Sequence, residues 1–287
     1  MYAIRCPKGK IMKTLSIATA ALISIAGIAA AQDATRALTN VTGDVYRWQN
    51  NNHFGLVVFT QDGVVVGDPI NAEAATWLEA EIAKKTDMPV THLIYSHSHG
   101  DHASGGEVFE DTAETVAHQN APKEIVGVAV DRRVADVDSM TVGDKTFEFT
   151  YLGAGHGTDL MAVVVRPENV AFVVDAMAPR RLPFRDMPNA NLDDWTDQVR
   201  KIGELDFELL TPGHGNVGTY ENVAEVVTYM EELRGEVLTG LEAGKSVETL
   251  QEEVTLDAYS DWLGYENWRT ENIAGAARSL QESGAVN

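Results

Sequence analysis

Two β-rich stretches, with helix-forming segments after them, predict an α+β chain. Two sheets would pack face to face, with helices over their outer faces. The first stretch runs from Val41 to Gly67 and the second from Phe147 to Val174. No linker, low-complexity tract or short repeat interrupts them, so one domain is expected over residues 32–287. A doubly wound sheet stays open as an alternative, because it also buries short apolar strands.

The elements follow in order. Val45-Tyr46-Arg47-Trp48 alternates as a half-buried strand, and Gly55 to Thr60 is β-rich. Gln61-Asp62-Gly63 is a hairpin turn before Val64-Val65-Val66, and Asp68-Pro69 ends that strand. Ala75, Leu78 and Ile82 at helical spacing predict a helix over Ala72 to Lys85. A short buried strand follows at His92 to Tyr95. Glu107 to Val116 reads as a short helix passing into a strand at Glu114 to Ala117. In the second half, Phe147 to Leu152 alternates as a strand. Ala162 to Val165 and Ala171 to Val174 are two more strands, joined by Pro167-Glu168-Asn169. Asn191 is placed to cap a helix from Leu192 to Ile202, and Leu209-Leu210 is a last short strand. From about residue 221 the composition turns helical, with helices expected at Glu221–Leu238, Val247–Val254 and Glu271–Gln281.

The first residues read as a targeting segment. Lys13 precedes a small, Ala-rich apolar run from Leu15 to Ala30. Ala29 and Ala31 match the small-residue positions of a signal-peptidase site, so cleavage after Ala31 is expected. Met12 is a natural start within this signal peptide of residues 1–31. The run is too short and Ala-rich for a permanent membrane span, which predicts a periplasmic or secreted protein. The only cysteine, Cys6, precedes the run, so the processed chain has neither disulfides nor thiolate chemistry. The full chain has 43 acidic and 22 basic residues and a formal charge of −21. Arg5, Lys8, Lys10 and Lys13 leave with the leader, which makes the remainder still more acidic. Nucleic acid and anionic membrane surfaces are poor partners for such a field, and a small-molecule substrate suits it better. The sequence carries no signal for oligomeric state.

The strongest chemical signal is His97-Ser98-His99-Gly100-Asp101-His102, directly after a buried strand. Alternating residues on an extended tip point the same way, so His97 and His99 can hold one ion. Asp101 and His102, beyond the turn at Gly100, can reach a second. Three imidazoles and a carboxylate crowded on one tip are costly without a cation. His156 and His214 lie in glycine-flanked turns at strand ends, where glycine lets the backbone turn sharply. Asp175 ends the apolar strand Phe172-Val173-Val174, where a carboxylate needs a partner.

Together these residues resemble the metallo-β-lactamase superfamily, from about Val41 to Gly215. The resemblance implies a four-layered αββα sandwich with metals in a cleft between the sheet edges. It implies a first zinc held by His97, His99 and His156, and a second held by Asp101, His102 and His214. Asp175 would bridge them, and Asp68 would support the ligands from behind. Manganese, iron or cobalt also suit these donors. Two close cations activate a bridging water as hydroxide, which attacks a carbonyl carbon, with Asp101 handling its proton. An aspartate at position 175, rather than cysteine or serine, resembles lactonases and hydroxyacylglutathione hydrolases. That favours esters, lactones or thioesters, with β-lactam hydrolysis as the alternative. A non-catalytic metal-binding module is the alternative of another class; the complete ligand set weighs against it.

Weaker signals surround this set. Arg180, Arg181 and Arg185 follow the bridging aspartate and are candidates to clamp an anionic substrate group. His53 reads as a turn residue at the cleft mouth, and His92 and His118 as structural. Tyr259, Trp262, Tyr265 and Trp268 read as helical core, with a lid or dimer contact as the sharper alternative.

Overall fold

In this computed structural model, residues 1–3 and 34–286 are described. Apart from its first three residues, the expected leader lies outside the described residues, together with Cys6, Met12 and the cleavage site. No described helix is long and apolar enough to cross a membrane.

The first sheet begins with an antiparallel meander of β1 (Arg36–Thr42), β2 (Val45–Asn50), β3 (His53–Thr60) and β4 (Gly63–Gly67). Helix α1 (Ala72–Ile82) crosses over to β5 (Val90–Ile94), which lies parallel to β4. The one-turn helix α2 (Gly100–Ala103) precedes β6 (Glu114–His118). A small hairpin of β7 (Glu124–Ile125) and β8 (Val128–Ala129) then leads to β9 (Arg132–Val134), the last strand of this seven-stranded sheet. The second sheet has five strands: β10 (Val137–Val142), β11 (Lys145–Tyr151), β12 (Met161–Arg166), β13 (Val170–Val173) and β14 (Leu209–Pro212). Neighbours run antiparallel except β13 and β14, which the crossover through α3 (Leu192–Ile202) makes parallel. Helices α4 (Tyr220–Glu242), α5 (Val247–Glu253) and α6 (Tyr265–Glu282) close the chain.

Strand alternation sorts the core into three layers. Leu56, Val58, Val65 and Ile94 face Phe147, Phe149, Val163 and Phe172 between the sheets. Val57, Val66, Leu93 and Tyr95 pack outward against Ala74, Ala75 and Leu78 of α1. Ala162, Val164 and Val173 pack outward among side chains of the later helices, including Trp195, Tyr229 and Ile273. The expected αββα sandwich is therefore the fold, and two separate sheets exclude the doubly wound alternative.

Some boundaries move for local reasons. Helix α1 stops short of Lys85 because Ile82 O accepts from both Lys85 N and Thr86 N, at 2.8 and 3.2 Å, which tightens the chain into a turn. Helix α6 starts at Tyr265, earlier than expected, after Gly264 at φ +92°. Strand β1 has no fully buried residue, so its pattern was faint. Asn191 does cap α3: its side chain accepts from Asp193 N at 2.8 Å and Asp194 N at 3.2 Å. Asn191→Ala is expected to cost about 1 kcal/mol, read as a lower urea midpoint at unchanged slope.

Direction decides where the chemistry gathers. Strands β4 and β5 end at the same edge where the antiparallel β3 begins. In the second sheet β11, β13 and β14 run the same way, so their C-terminal ends share one edge. His53, Asp68 and His97 come from the first set of ends, and His156, Asp175 and His214 from the second.

Candidate metal centre

His97 and His99 leave the tip of β5, and Asp101 and His102 sit on α2, with His99 at its N-cap. The tight helical turn swings Asp101 and His102 away from the strand axis. His156 follows β11, Asp175 follows β13 and His214 follows β14. Gly213 makes the last approach possible: a Cβ there would lie 2.5 Å from Val174 Cγ1 and 2.9 Å from His102 Cε1.

The side chains form two groups whose ligand atoms all lie within 4.8 Å of one another. One is His97, His99 and His156; the other is His53, Asp101, His102 and His214. Asp175 lies between them. Its Oδ2 is 3.4 Å from His156 Nε2 and 3.9 Å from His97 Nε2. Its Oδ1 is 3.2 Å from His214 Nε2 and 3.3 Å from His102 Nε2. His99 Nδ1 is 3.0 Å from His156 Nε2, and His102 Nε2 is 3.2 Å from His214 Nε2.

Hydrogen bonds behind the rings set their tautomers. Ser96 Oγ donates to Asp68 Oδ2 at 2.7 Å, so it accepts from His97 Nδ1 at 2.9 Å and leaves Nε2 free for the centre. Ser96 N also donates to Asp68 Oδ1 at 2.8 Å, and Asp68 Oδ2 lies 3.6 Å from His102 Nδ1. His214 Nδ1 donates to Asn52 O at 2.7 Å, which again leaves Nε2 for the centre. Both strand-ending carboxylates occupy the left-handed region, Asp68 at φ +54° and Asp175 at φ +58°. Aspartate tolerates that region, and such strain collects at functional sites.

Burial and charge oppose one another here. Burial first, and neighbouring imidazoles second, hold His99 low. Burial holds His97 far below its ordinary value and lowers His214 to about 4. Burial also lowers His102, but Asp175, Asp68 and Asp101 outweigh it and push that ring up to about 9. Burial raises Asp68 to about 6, against the opposing pull of His102 and Ser96. Burial disfavours the Asp175 carboxylate too, yet His102 and His156 hold it well below the usual range. Asp101 is also held low, chiefly by the His53 imidazole beside it.

These residues fit divalent cations. His97 Nε2 and Asp175 Oδ1 are buried with no hydrogen-bond partner. Several imidazole nitrogens face one another; neutral His97, His99 and His214 with ionised Asp101 and Asp175 are in the protonation states that ligate metal, and His102 would give up its proton to join them.

Two positioning residues were not singled out from the sequence. Gln198 on α3 is fully buried. It accepts from His156 N at 2.7 Å and donates to Gly153 O at 2.7 Å, fixing the loop that carries His156. Arg47 on β2 donates to Pro212 O at 3.1 Å and Gly215 O at 2.7 Å, clasping the turn that carries His214. A buried Gln on an amphipathic helix was the only available signal for the first.

A cleft of about 710 Å³ opens over the centre. Its apolar wall includes Met177, Leu182, Phe184, Trp195 and Trp268. The three arginines separate. Arg181 lines the cleft with its guanidinium 4.9 Å over Trp268 and makes no ion pair among the described residues. Arg180 pairs with Asp261, and Arg185 lies over Phe184 outside the cleft lining. The aromatic cluster also divides: Tyr259 and Trp262 are core beside Tyr229, whereas Trp268 faces the cleft. His92 pairs with Glu114, and His118 stacks on Tyr151 at 4.2 Å, both away from the two groups.

An αββα sandwich with converging His and Asp side chains at one end defines the class of metal-binding hydrolase folds. Residues 55–214 match the metallo-beta-lactamase superfamily. The chain belongs to that superfamily, whose members are mostly metal-dependent hydrolases. It is 25% identical over 226 residues to the alpha subunit of a 2,4-dinitroanisole O-demethylase from Nocardioides, covering 67% of this chain. The match spans 66% of that relative, just under two thirds of its length. It is 21% identical to a hydroxyacylglutathione hydrolase of Francisella tularensis, covering 75% of this chain and 86% of the relative. A metallo-beta-lactamase from Pontibacter korlensis shares the fold at TM-score 0.62 and 18% identity, covering 69% of this chain and 99% of the other.

Proposed function

We propose that this protein is an exported dinuclear zinc hydrolase of carboxylic esters, lactones or thioesters. The carrying observation is the Asp175 carboxylate, with one oxygen toward each His group. His97, His99 and His156 would hold one ion, Asp101, His102 and His214 the other, and Asp175 both. The chemistry such ions would supply is an acidified water and polarisation of the carbonyl. The protein does the rest. Asp101 Oδ2, half exposed to the cleft, accepts the proton of the attacking water and returns it to the leaving group. Asp68, through Ser96, keeps a proton on His97 Nδ1. The apolar wall excludes water, and the cleft volume suits a small molecule. A carboxylate at position 175, rather than a thiolate, supports the ester side of the reading, as does the hydroxyacylglutathione hydrolase similarity.

Metal analysis and a panel of esters, lactones, thioesters and β-lactams test this reading. About two zinc ions per chain and chelator-sensitive turnover of an ester, lactone or thioester are expected. One ion with no hydrolysis, or turnover confined to β-lactams, overturns it. Export is tested by fractionating cells that express the full chain: the processed protein should begin at Gln32 outside the cytoplasm.

Arg181 is the proposed anion clamp. Its guanidinium is held below its ordinary value by burial, against the pull of Asp175, and a substrate carboxylate would relieve that cost. Arg181→Ala is expected to raise KM for an anionic ester roughly 10-fold or more and to leave a neutral ester unaffected. Arg180→Ala and Arg185→Ala should change neither. Equal effects on both esters would remove the clamp.

A further inference from the structure

We propose that His53 is a ligand of the second metal ion, so that the group around Asp101 offers one more imidazole than the sequence motif does. The inference rests on the dinuclear reading and extends it to a residue outside the motif. Its Nε2 lies 3.5 Å from Asp101 Oδ2. That is beyond an ordinary N–H···O hydrogen bond. It falls in the range of about 3.0–3.6 Å between neighbouring donors around a five-coordinate zinc with bonds of about 2.1 Å, the count reached when His53 joins Asp101, His102, His214 and Asp175. The other pairs in this group fall in the same range: His102 to His214 at 3.2 Å, His102 to Asp175 at 3.3 Å and His214 to Asp175 at 3.2 Å. Ligand atoms of His53, Asp101, His102 and His214 all lie within 4.8 Å of one another.

The ring packs as a member of the group. Its centroid is 4.6 Å from that of His214 and 5.3 Å from that of His102. Among the described residues its polar partner is the Asp101 carboxylate, itself a member of the group. The backbone places it firmly. His53 opens β3 opposite Asn50, after a two-residue turn in which Asn51 adopts φ +55°. Asn52 of the same turn accepts from His214 Nδ1. One hairpin end thus orients His214 and presents His53 beside it.

Cobalt substitution of the full chain provides the test. Solvent-exchangeable, hyperfine-shifted imidazole N–H resonances count ligating histidines directly. Six are expected: His53, His97, His99, His102, His156 and His214. In calorimetric Co²⁺ titrations, His53→Gln should weaken one equivalent at least 10–100-fold and leave the other unchanged. It should also remove one resonance, and thermal unfolding of the metal-free variant checks that the fold is intact. Five resonances in the wild type, or two unchanged affinities in the variant, overturn the assignment. Five resonances with two ions bound would reject His53 alone. A wild type that binds a single ion would reject the dinuclear reading together with it.

Discussion

Asp175→Asn is expected to lower kcat/KM by roughly 1000-fold, equivalent to about 4 kcal/mol of transition-state stabilisation. The variant keeps the shape of the side chain and removes the one charge that faces both histidine groups. The amide offers one weaker oxygen donor and an N–H₂ that points a positive edge at the remaining imidazoles. Uptake of at least one metal equivalent should weaken in the same variant. Loss of the carboxylate also removes the largest upward influence on His102, so that ring should titrate closer to its ordinary value. Kinetics, metal titration and His102 imidazole shifts read these effects separately. Full activity with two ions bound at unchanged affinity would remove Asp175 from the bridging role.

The gap in stability between metal-loaded and metal-free protein is expected to widen from pH 6.5 to 9. In the metal-free protein His102 is raised to about 9 from 6.5. A raised histidine contributes stability that is complete below 6.5 and lost as pH climbs through 9. The amount is on the order of 3 kcal/mol. Asp68, raised by burial to about 6, adds a loss at lower pH: its contribution is complete below 3.8 and gone above about 6. Asp175 acts with the opposite sign, contributing above 3.8 and failing only at strongly acid pH. A cation held by these residues would take the place of the His102 proton among the same carboxylates. Apparent affinity should therefore rise about tenfold per pH unit up to about 9, as one proton is displaced. Urea unfolding of both forms across this range measures the gap directly. A constant gap would mean that His102 does not hold the proton.

The same electrostatics explain why the site was partly readable. Crowded histidines and a carboxylate between His97 and His102 are local in sequence, and no apolar core needs them. Asp175 stood out because it ends an apolar strand. His53 did not, since one histidine after three asparagines resembles any turn. Arg180 and Arg181 are adjacent in sequence and chemically identical, yet one meets Asp261 and the other the cleft. Gln198 acts on a loop 42 residues away, and Asn52 on His214 across 162 residues.

By itself, the sequence determined many of the strands and helices, through alternation and helical spacing, and singled out most of the His and Asp side chains that cluster at one end, through chemistry too costly to bury otherwise; β1, β9 and β10 carried too weak a pattern to be read. The separation into two sheets, the meeting of both sets of strand ends at one edge, the place of His53 and the supporting bonds of Ser96, Gln198 and Arg47 were decided by the tertiary structure. Periodicity reports which face of an element is buried. The partner it meets there depends on strand direction and sheet order, which no local pattern encodes.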